Sequence, residues 1–172
     1  MKEIILVGSV ALSGTKAIIE KKYNEIREKC PERVIRTAIS DVFCGDDISG
    51  LFLSEKTVYA KQLGEGGFFA GLWYMSKEIN AGFTVDMRRV TIIQEAVEIC
   101  EMFGVNPYIL ESGGAWLAVS EAAKDQSEIF DGKSVNMAVI GRLEASNDKK
   151  LLCGERVRFL DRPAPDELRK FT

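Results

Sequence analysis

Apolar residues recur along this chain with two spacings, the helical spacing of about 3.6 residues and the strand spacing of two residues. These spacings predict helices interleaved with strands. The compact apolar run from Ile4 to Leu12 predicts a buried strand. Apolar residues then recur at helical spacing, with lysine and glutamate on the other face: Ile19, Tyr23, Ile26 and Cys30. This pattern predicts a helix. Ser13 or Thr15 is expected to cap it, and Pro31 is expected to end it, because proline cannot continue the hydrogen-bond ladder.

A glycine-rich segment, Gly64 to Gly67, opens a second predicted helix. Residues 68–75 are apolar nearly all round, which predicts that this helix is buried, and Asn80 to Gly82 is suited to a C-terminal cap. Between the two helices the pattern predicts shorter elements: a helical turn over Arg33 to Ile39, a loop over Gly45 to Gly50 and a strand over Val58 to Leu63.

The second half of the chain predicts short strands and helices separated by turn residues. Thr91 and Gln94 have the spacing of a capping box, in front of a helix that Gly104 ends. Ser112 to Gly114 is predicted to form a hairpin or a tight turn between neighbouring strands. The other predicted elements are a half-buried strand through Phe83, Val85 and Met87, strands at 108–110 and 115–120, a short helix over 124–130, a strand over 135–140, a hairpin of 151–153 with 156–160, and a helical turn over 166–171.

The order of these elements predicts a single α+β domain over residues 1–172, with helices packed on a mixed or antiparallel sheet. A chain of 172 residues buries roughly 70% of its unfolded surface, and so it needs neither a disulfide nor a metal to fold.

Composition and charge exclude several classes of protein. The hydrophobic fraction of 46% and the charged fraction of 28% are typical of globular proteins. The formal charge is −3, from 23 lysines and arginines against 26 acidic residues, and such a chain lacks the basic surface that binds nucleic acid or an anionic membrane. Neither a membrane-spanning run nor a signal peptide is present, so a cytoplasmic protein with reduced thiols is expected.

The absence of histidine limits the chemistry most strongly. It excludes the Ser-His-Asp and Cys-His nucleophile pairs, a histidine general base and histidine-containing zinc sites. The four cysteines lack the C-x-x-C spacing and have no evident base partner: Cys30, Cys44, Cys100 and Cys153. Structural thiols and no metal site are therefore expected.

The glycine-rich segment is the first candidate for a binding site. The backbone amides of Gly64, Gly66 and Gly67 precede a helix whose positive end favours a phosphate or another anion. The same glycines also suit a tight turn and close packing of an apolar helix. The dinucleotide-binding fingerprint is not met, because Phe69 stands where its last glycine should be.

Other motifs are weaker. Ser112, Gly113 and Gly114 provide either a backbone nest for an anion or a plain turn. Gly45 to Gly50 has the glycine spacing of a P-loop, but the required lysine and hydroxyl residue are replaced by Leu51 and Phe52, so that interpretation is rejected. A site role stays open for two charged pairs. Asp46 with Asp47 suits Mg²⁺ held together with substrate phosphates, and a solvated pair is favoured. Arg88 with Arg89 suits a phosphate, and a solvated loop or a salt bridge is favoured.

Six segments, in their order along the chain, resemble one protein family: Gly8 to Thr15, Gly64 to Trp73, Phe83 to Met87, Glu98 to Tyr108, Ser112 with Gly113, and Ala138 to Arg142. Together they resemble the C-terminal domain of the aminoimidazole-ribonucleotide synthase (PurM-like) superfamily, in its hydrogenase-maturation-factor-like branch. The resemblance covers almost the whole chain.

The resemblance implies an α/β/α layered domain that is partly ferredoxin-like. Full-length relatives bind ATP mainly through an N-terminal domain, transfer its phosphate and usually form dimers. The chain is therefore expected to be the C-terminal half alone and a homodimer, with no certain cofactor. ATP with Mg²⁺ is expected only together with a partner protein that carries the ATP-binding domain. Where the branch has a Met-His-Asp-like stretch, this chain has Ala60-Lys61-Gln62, and Lys61 is the remaining candidate to meet a phosphate.

Two functions stay open at this point. The first is a non-catalytic or accessory module of this hydrogenase-maturation-factor-like family that acts through dimerisation and through binding of a partner or a small ligand. The second is an enzyme, or half of one, that handles ATP or a phosphate ligand with the Gly64–Gly67 helix N-terminus as its anion site. Whether the chain is an enzyme is left undecided by the sequence.

Overall fold

The chain begins with a strand, β1 (Glu3–Val7), that leads directly into helix α1 (Leu12–Lys29). The structure is a computed structural model and describes residues 1–40, 56–130 and 133–172. The strand predicted to reach Leu12 is shorter, because Ala11 adopts a left-handed conformation with φ 65° and becomes the N-cap of α1. No side chain caps this helix, so the expected cap by Ser13 or Thr15 is wrong: both residues lie inside the first turn.

Within the described residues, eight strands form one sheet. After β1 they are β2 (Thr57–Gln62), β3 (Gly82–Asp86), β4 (Trp116–Ser120), β5 (Gln126–Phe130), β6 (Lys133–Glu144), β7 (Lys149–Cys153) and β8 (Arg156–Phe159). Their order across the sheet is β2-β4-β1-β6-β3-β7-β8, and β5 pairs with β6 off this path. Among the described strands, β3 with β7 is the one parallel pair. The α+β class and the mixed sheet are therefore confirmed.

The two larger apolar clusters of the described residues hold most of the helices in place. The further helices are α2 (Glu32–Ser40), α3 (Gly67–Ile79) and α4 (Gln94–Met102). Helix α3 packs on the sheet, where Phe68 and Leu72 are fully buried in one cluster with Phe83 of β3. Helices α1, α2 and α4 form the second cluster around Ile19 and its neighbours. Gly14 in the first turn of α1 and Gly67 in the first turn of α3 both lie against Leu110, in the segment between α4 and β4.

Three predicted elements differ from the structure. Residues 126–130 form β5 instead of a helix, because pairing with β6 overrides their local preference. Residues 107–109 form a 3-10 turn instead of a strand, because the side chain of Asn106 accepts a hydrogen bond from the amide of Tyr108 at 3.0 Å. The capping box is not formed, because α4 begins at Gln94 and its N-cap is Ile93.

Other predictions are confirmed. The hairpin about Gly154 joins β7 to β8, and Asn80 caps the C-terminus of α3 in a left-handed conformation with φ 56°. A 3-10 turn at Glu167–Phe171 packs Leu168 and Phe171 against the second cluster. The P-loop-like segment and the Asp46–Asp47 pair lie outside the described residues. In the part of the chain that is described, none of the helices has the length and apolarity to cross a membrane.

Candidate functional site

The two glycine-containing turns lie against each other, although some 45 residues separate them in the sequence. The amide of Ser112 donates a hydrogen bond to the carbonyl of Gly64 at 3.3 Å. Gly67 packs so tightly on this turn that a Cβ there would lie 3.0 Å from the amide nitrogen of Leu110 and inside contact distance of its carbonyl oxygen. We call this region, Gly64–Gly67 with Leu110–Gly114, the loop junction. It brings together six of the seven predicted site residues: Gly64, Gly66, Gly67, Ser112, Gly113 and Gly114.

The N-terminus of α1 packs against the loop junction. The hydroxyl of Ser112 accepts a hydrogen bond from the amide of Ala11 at 2.8 Å and donates one to the carbonyl of Leu110 at 2.9 Å. The amide of Gly14 donates to the carbonyl of Glu111 at 3.0 Å. Since Ser112 is fully buried and its hydroxyl both accepts and donates within the chain, its role in this structure is to join the turn to the helix.

The amide at the N-terminus of α3 is bound by a carboxylate of the chain itself. Oδ2 of Asp166 accepts a hydrogen bond from the amide of Gly66 at 2.6 Å, and its Oδ1 accepts one from the amide of Leu168 at 2.8 Å. Asp166 is buried, with 5% of its surface exposed. An aspartate at a helix N-terminus is favoured by the helix dipole and by the unpaired amides there. The Gly66 amide, which the sequence predicts to bind an anion, thus donates to a carboxylate of the chain itself, and residue 166 is not among the predicted site residues.

Further acidic groups surround this carboxylate. Burial raises the pKa of the Glu111 carboxyl, and the negative charges of Asp166 and Glu65 raise it further. Glu65 is paired with Arg169 at 2.5 Å, but both side chains are mostly exposed, so this ion pair contributes little. A second anion at the loop junction would meet this negative charge while Asp166 is in place.

Lys61 lies away from the loop junction. Its ammonium pairs with Glu78 at 2.5 Å and lies 5.7 Å from the centre of the Tyr59 ring. Glu78 is near the C-terminal end of α3, and at 1.5 Å per residue that end is about 18 Å along the helix from Gly66. Lys61 therefore does not converge with the glycine amides in this structure.

The arginine pair that the sequence left open forms ion pairs with acidic side chains. Arg88 forms an ion pair with Asp86 at 2.8 Å and Arg89 forms one with Asp125 at 2.5 Å, which is the salt-bridge interpretation favoured by the sequence. Burial raises the pKa of Cys100 to about 11, so its thiol is not ionised near neutral pH. Across residues 1–40, 56–130 and 133–172 there is no group of three or more cysteine or acidic side chains arranged to hold a metal ion.

The fold defines a class of protein: an α+β domain with helices packed on a mixed, largely antiparallel sheet. No protein-family profile and no curated protein sequence matches the chain. Solved structures do match it. HypE from E. coli has a TM-score of 0.69 and 14% identity, over 99% of this chain and 52% of HypE.

Two other solved structures are similar. A chain of the HypE–HypF complex has a TM-score of 0.62 and 16% identity, over 94% of this chain and 53% of its own length. Thiamine monophosphate kinase from Aquifex aeolicus has a TM-score of 0.58 and 14% identity, over 87% of this chain and 49% of the kinase. At these identities the similarity concerns the fold, and for the fold the resemblance expected from the sequence is confirmed. The chain spans about half the length of the proteins that it matches.

Proposed function

We propose that this chain is a non-catalytic, accessory module that acts through dimerisation and through binding of a partner or a small ligand. The observation that carries the proposal is the Asp166 carboxylate on the Gly66 amide. A helix N-terminus that already holds a buried carboxylate has one anion position fewer for a nucleotide or a phosphate. The position of Lys61 beside Glu78 supports the same interpretation, because this lysine, the cation predicted to meet a phosphate, is held away from the glycine amides.

A protein partner is supported by one of the structural neighbours, which was solved as the HypE–HypF complex. In this chain the surface best suited to such a contact is the outer face of β8, the last strand on one side of the sheet. Val157 and Phe159 point to the same face and are 53% and 62% exposed. An exposed apolar pair on an end strand offers a contact surface to another chain.

A twofold contact through the edge of β8 is disfavoured by charge. Antiparallel pairing of two β8 strands would place Arg158 opposite Arg158, or Arg156 opposite Arg158, and like charges directly opposite each other destabilise a sheet. We therefore propose that two copies pack through the face that carries Val157 and Phe159 and that their backbone edges do not pair.

The non-catalytic part of the proposal predicts that the unfolding temperature stays unchanged with ATP, ADP, AMP or GTP plus Mg²⁺, with phosphate and with a ribose phosphate. A ligand at 100 times its dissociation constant adds about 2.7 kcal/mol to the stability, which is readily measured by differential scanning fluorimetry. A selective rise with one nucleotide would contradict the accessory role and identify the substrate class.

The dimer is tested by the mass in solution. We expect twice the 19.1 kDa of the chain by light scattering, and the monomer mass for the double variant Val157→Lys, Phe159→Lys. The matched control is Val58→Lys, since Val58 is 47% exposed on β2, the end strand on the other side of the sheet. A monomeric wild type would refute the dimer. Dissociation by Val58→Lys alone would show that the contact lies at the other end.

The second candidate function, an enzyme or enzyme half that handles ATP or a phosphate ligand, is favoured by the loop junction itself. Two segments predicted independently as anion sites lie in contact, as the hydrogen bond between Ser112 and Gly64 indicates. One structural neighbour is a kinase. For this chain to bind a phosphate at the Gly66 amide, Asp166 must first leave it. The substitution of Asp166 argued in the Discussion therefore distinguishes the two functions.

A further inference from the structure

A cavity lies beside the end of β8, and Phe159 of that strand is among the residues that line it. Its volume is about 150 Å³, and its walls are largely apolar, with Phe69, Ile109, Leu151 and Leu160 among the lining residues. Phe69 is held in place by stacking on Tyr108, with 5.4 Å between the ring centres. An apolar cavity of about this volume accommodates one benzene ring.

Two arginines, Arg158 and Arg162, line the same cavity. Neither has an ion-pair partner within the described part of the chain, whereas Arg88, Arg89, Arg142 and Arg169 each have one. Asp161 is the one acidic residue in the lining, so the two arginines leave a local excess of positive charge on a chain of net charge −3. The planar fork of a guanidinium matches a carboxylate in two hydrogen bonds.

From this combination we infer that the cavity binds a small aromatic carboxylate: the ring fills the space between Phe69, Leu151 and Leu160, and Arg158 with Arg162 holds the carboxylate. The occupant is a free small molecule, since the volume accommodates a single ring. This site is separate from the loop junction and does not depend on the accessory role proposed above.

Phenylacetate titrated into the ¹⁵N-labelled protein tests the inference. We expect amide resonances of residues around the cavity, such as Ile109 and Leu160, to shift in a saturable way, with no shift at Gly66. Phenylacetamide, which keeps the ring and lacks the charge, is expected to bind at least about tenfold more weakly, and acetate, which lacks the ring, likewise. Equal binding of the acid and the amide, or no saturable shift with phenylacetate, would overturn the proposal.

Matched variants distinguish binding in the cavity from nonspecific attraction of the anion by positive charge. The double variant Arg158→Gln, Arg162→Gln should weaken phenylacetate binding by about tenfold or more and leave the weak binding of phenylacetamide unchanged. Arg156→Gln removes an equally charged residue of β8 that does not line the cavity, and it should leave both affinities unchanged. An equal loss with Arg156→Gln would refute a specific site. If N-acetyl-glycyl-phenylalanine binds more tightly than phenylacetate, the occupant of the cavity is the C-terminus of a peptide, and the proposal of a free small molecule is refuted.

Discussion

Replacing Gly67 with alanine is expected to destabilise the protein by about 3 kcal/mol, which lowers the unfolding temperature by roughly 6–12 °C for a chain of this size. Two costs add. The φ of +67° at Gly67 lies in the left-handed region, which an alanine adopts unfavourably. The new Cβ would also press on backbone atoms, with the carbonyl oxygen of Tyr108 at 3.0 Å and that of Leu110 closer still. Backbone cannot move aside as the end of a side chain can, so the loop junction must separate.

Gly104→Ala is the matched control for this prediction. Gly104 has a similar φ of +61°, but no atom lies within 4 Å of its would-be Cβ, so only the conformational cost of about 1 kcal/mol is expected. Urea unfolding of both variants measures the difference. If the two substitutions cost the same, the close approach between the two turns contributes nothing.

The contacts of Gly67 bear on the two roles that the sequence predicts for the glycine segment. The local residue pattern indicates both an anion site and a tight turn in front of an apolar helix. The structure supplies a physical reason for the second use, because Gly66 and Gly67 have φ of +82° and +67° and Gly67 lies on the backbone of Leu110. The local residue pattern could not indicate this contact, because the two segments are some 45 residues apart in the sequence and meet only in the folded structure.

Elements with a strong pattern of their own were predictable. The amphipathic α1, the apolar α3 and the β7–β8 hairpin about Gly154 all have their turn or cap signals within a few residues. Residues 126–130 have no such signal, and their state is decided by pairing with β6. The capping box failed for a related reason: Thr91 and Gln94 have the right spacing, but α4 begins at Gln94 itself.

The segments that meet at the loop junction were predictable from their glycines, and the charged side chains around them were not. Asp166 followed by Glu167 and Leu168 is a local signal for a capped turn, and that turn is present. Nothing near Asp166 indicates that its second oxygen reaches Gly66, which lies 100 residues earlier. Lys61 is close to the glycine segment in the sequence, but it lies on β2 and its side chain pairs with Glu78.

Replacing Asp166 with alanine is expected to destabilise the protein by about 2 kcal/mol and to create an anion-binding position. The amides of Gly66 and Leu168 would lose their acceptor, and an unsatisfied buried donor costs about 1–3 kcal/mol. The loss of one negative charge beside Glu111 offsets part of this cost and lowers the raised pKa of that carboxyl. In Asp166→Asn a single oxygen remains to accept from one of the two amides, so an intermediate loss is expected.

Anions should restore part of the stability of Asp166→Ala. Acetate and phosphate are expected to raise its unfolding temperature more than that of the wild type, because the vacated position beside the Gly66 amide accepts a negative charge. The control is Glu28→Ala, an exposed carboxylate on α1 away from both the loop junction and the β8 cavity, which should unfold as the wild type does and gain nothing from the anions. Selective rescue by phosphate would favour the phosphate-handling function, with Asp166 as the group that blocks it. If neither anion rescues the variant, the helix N-terminus has only a structural use for a carboxylate, and the accessory role is favoured.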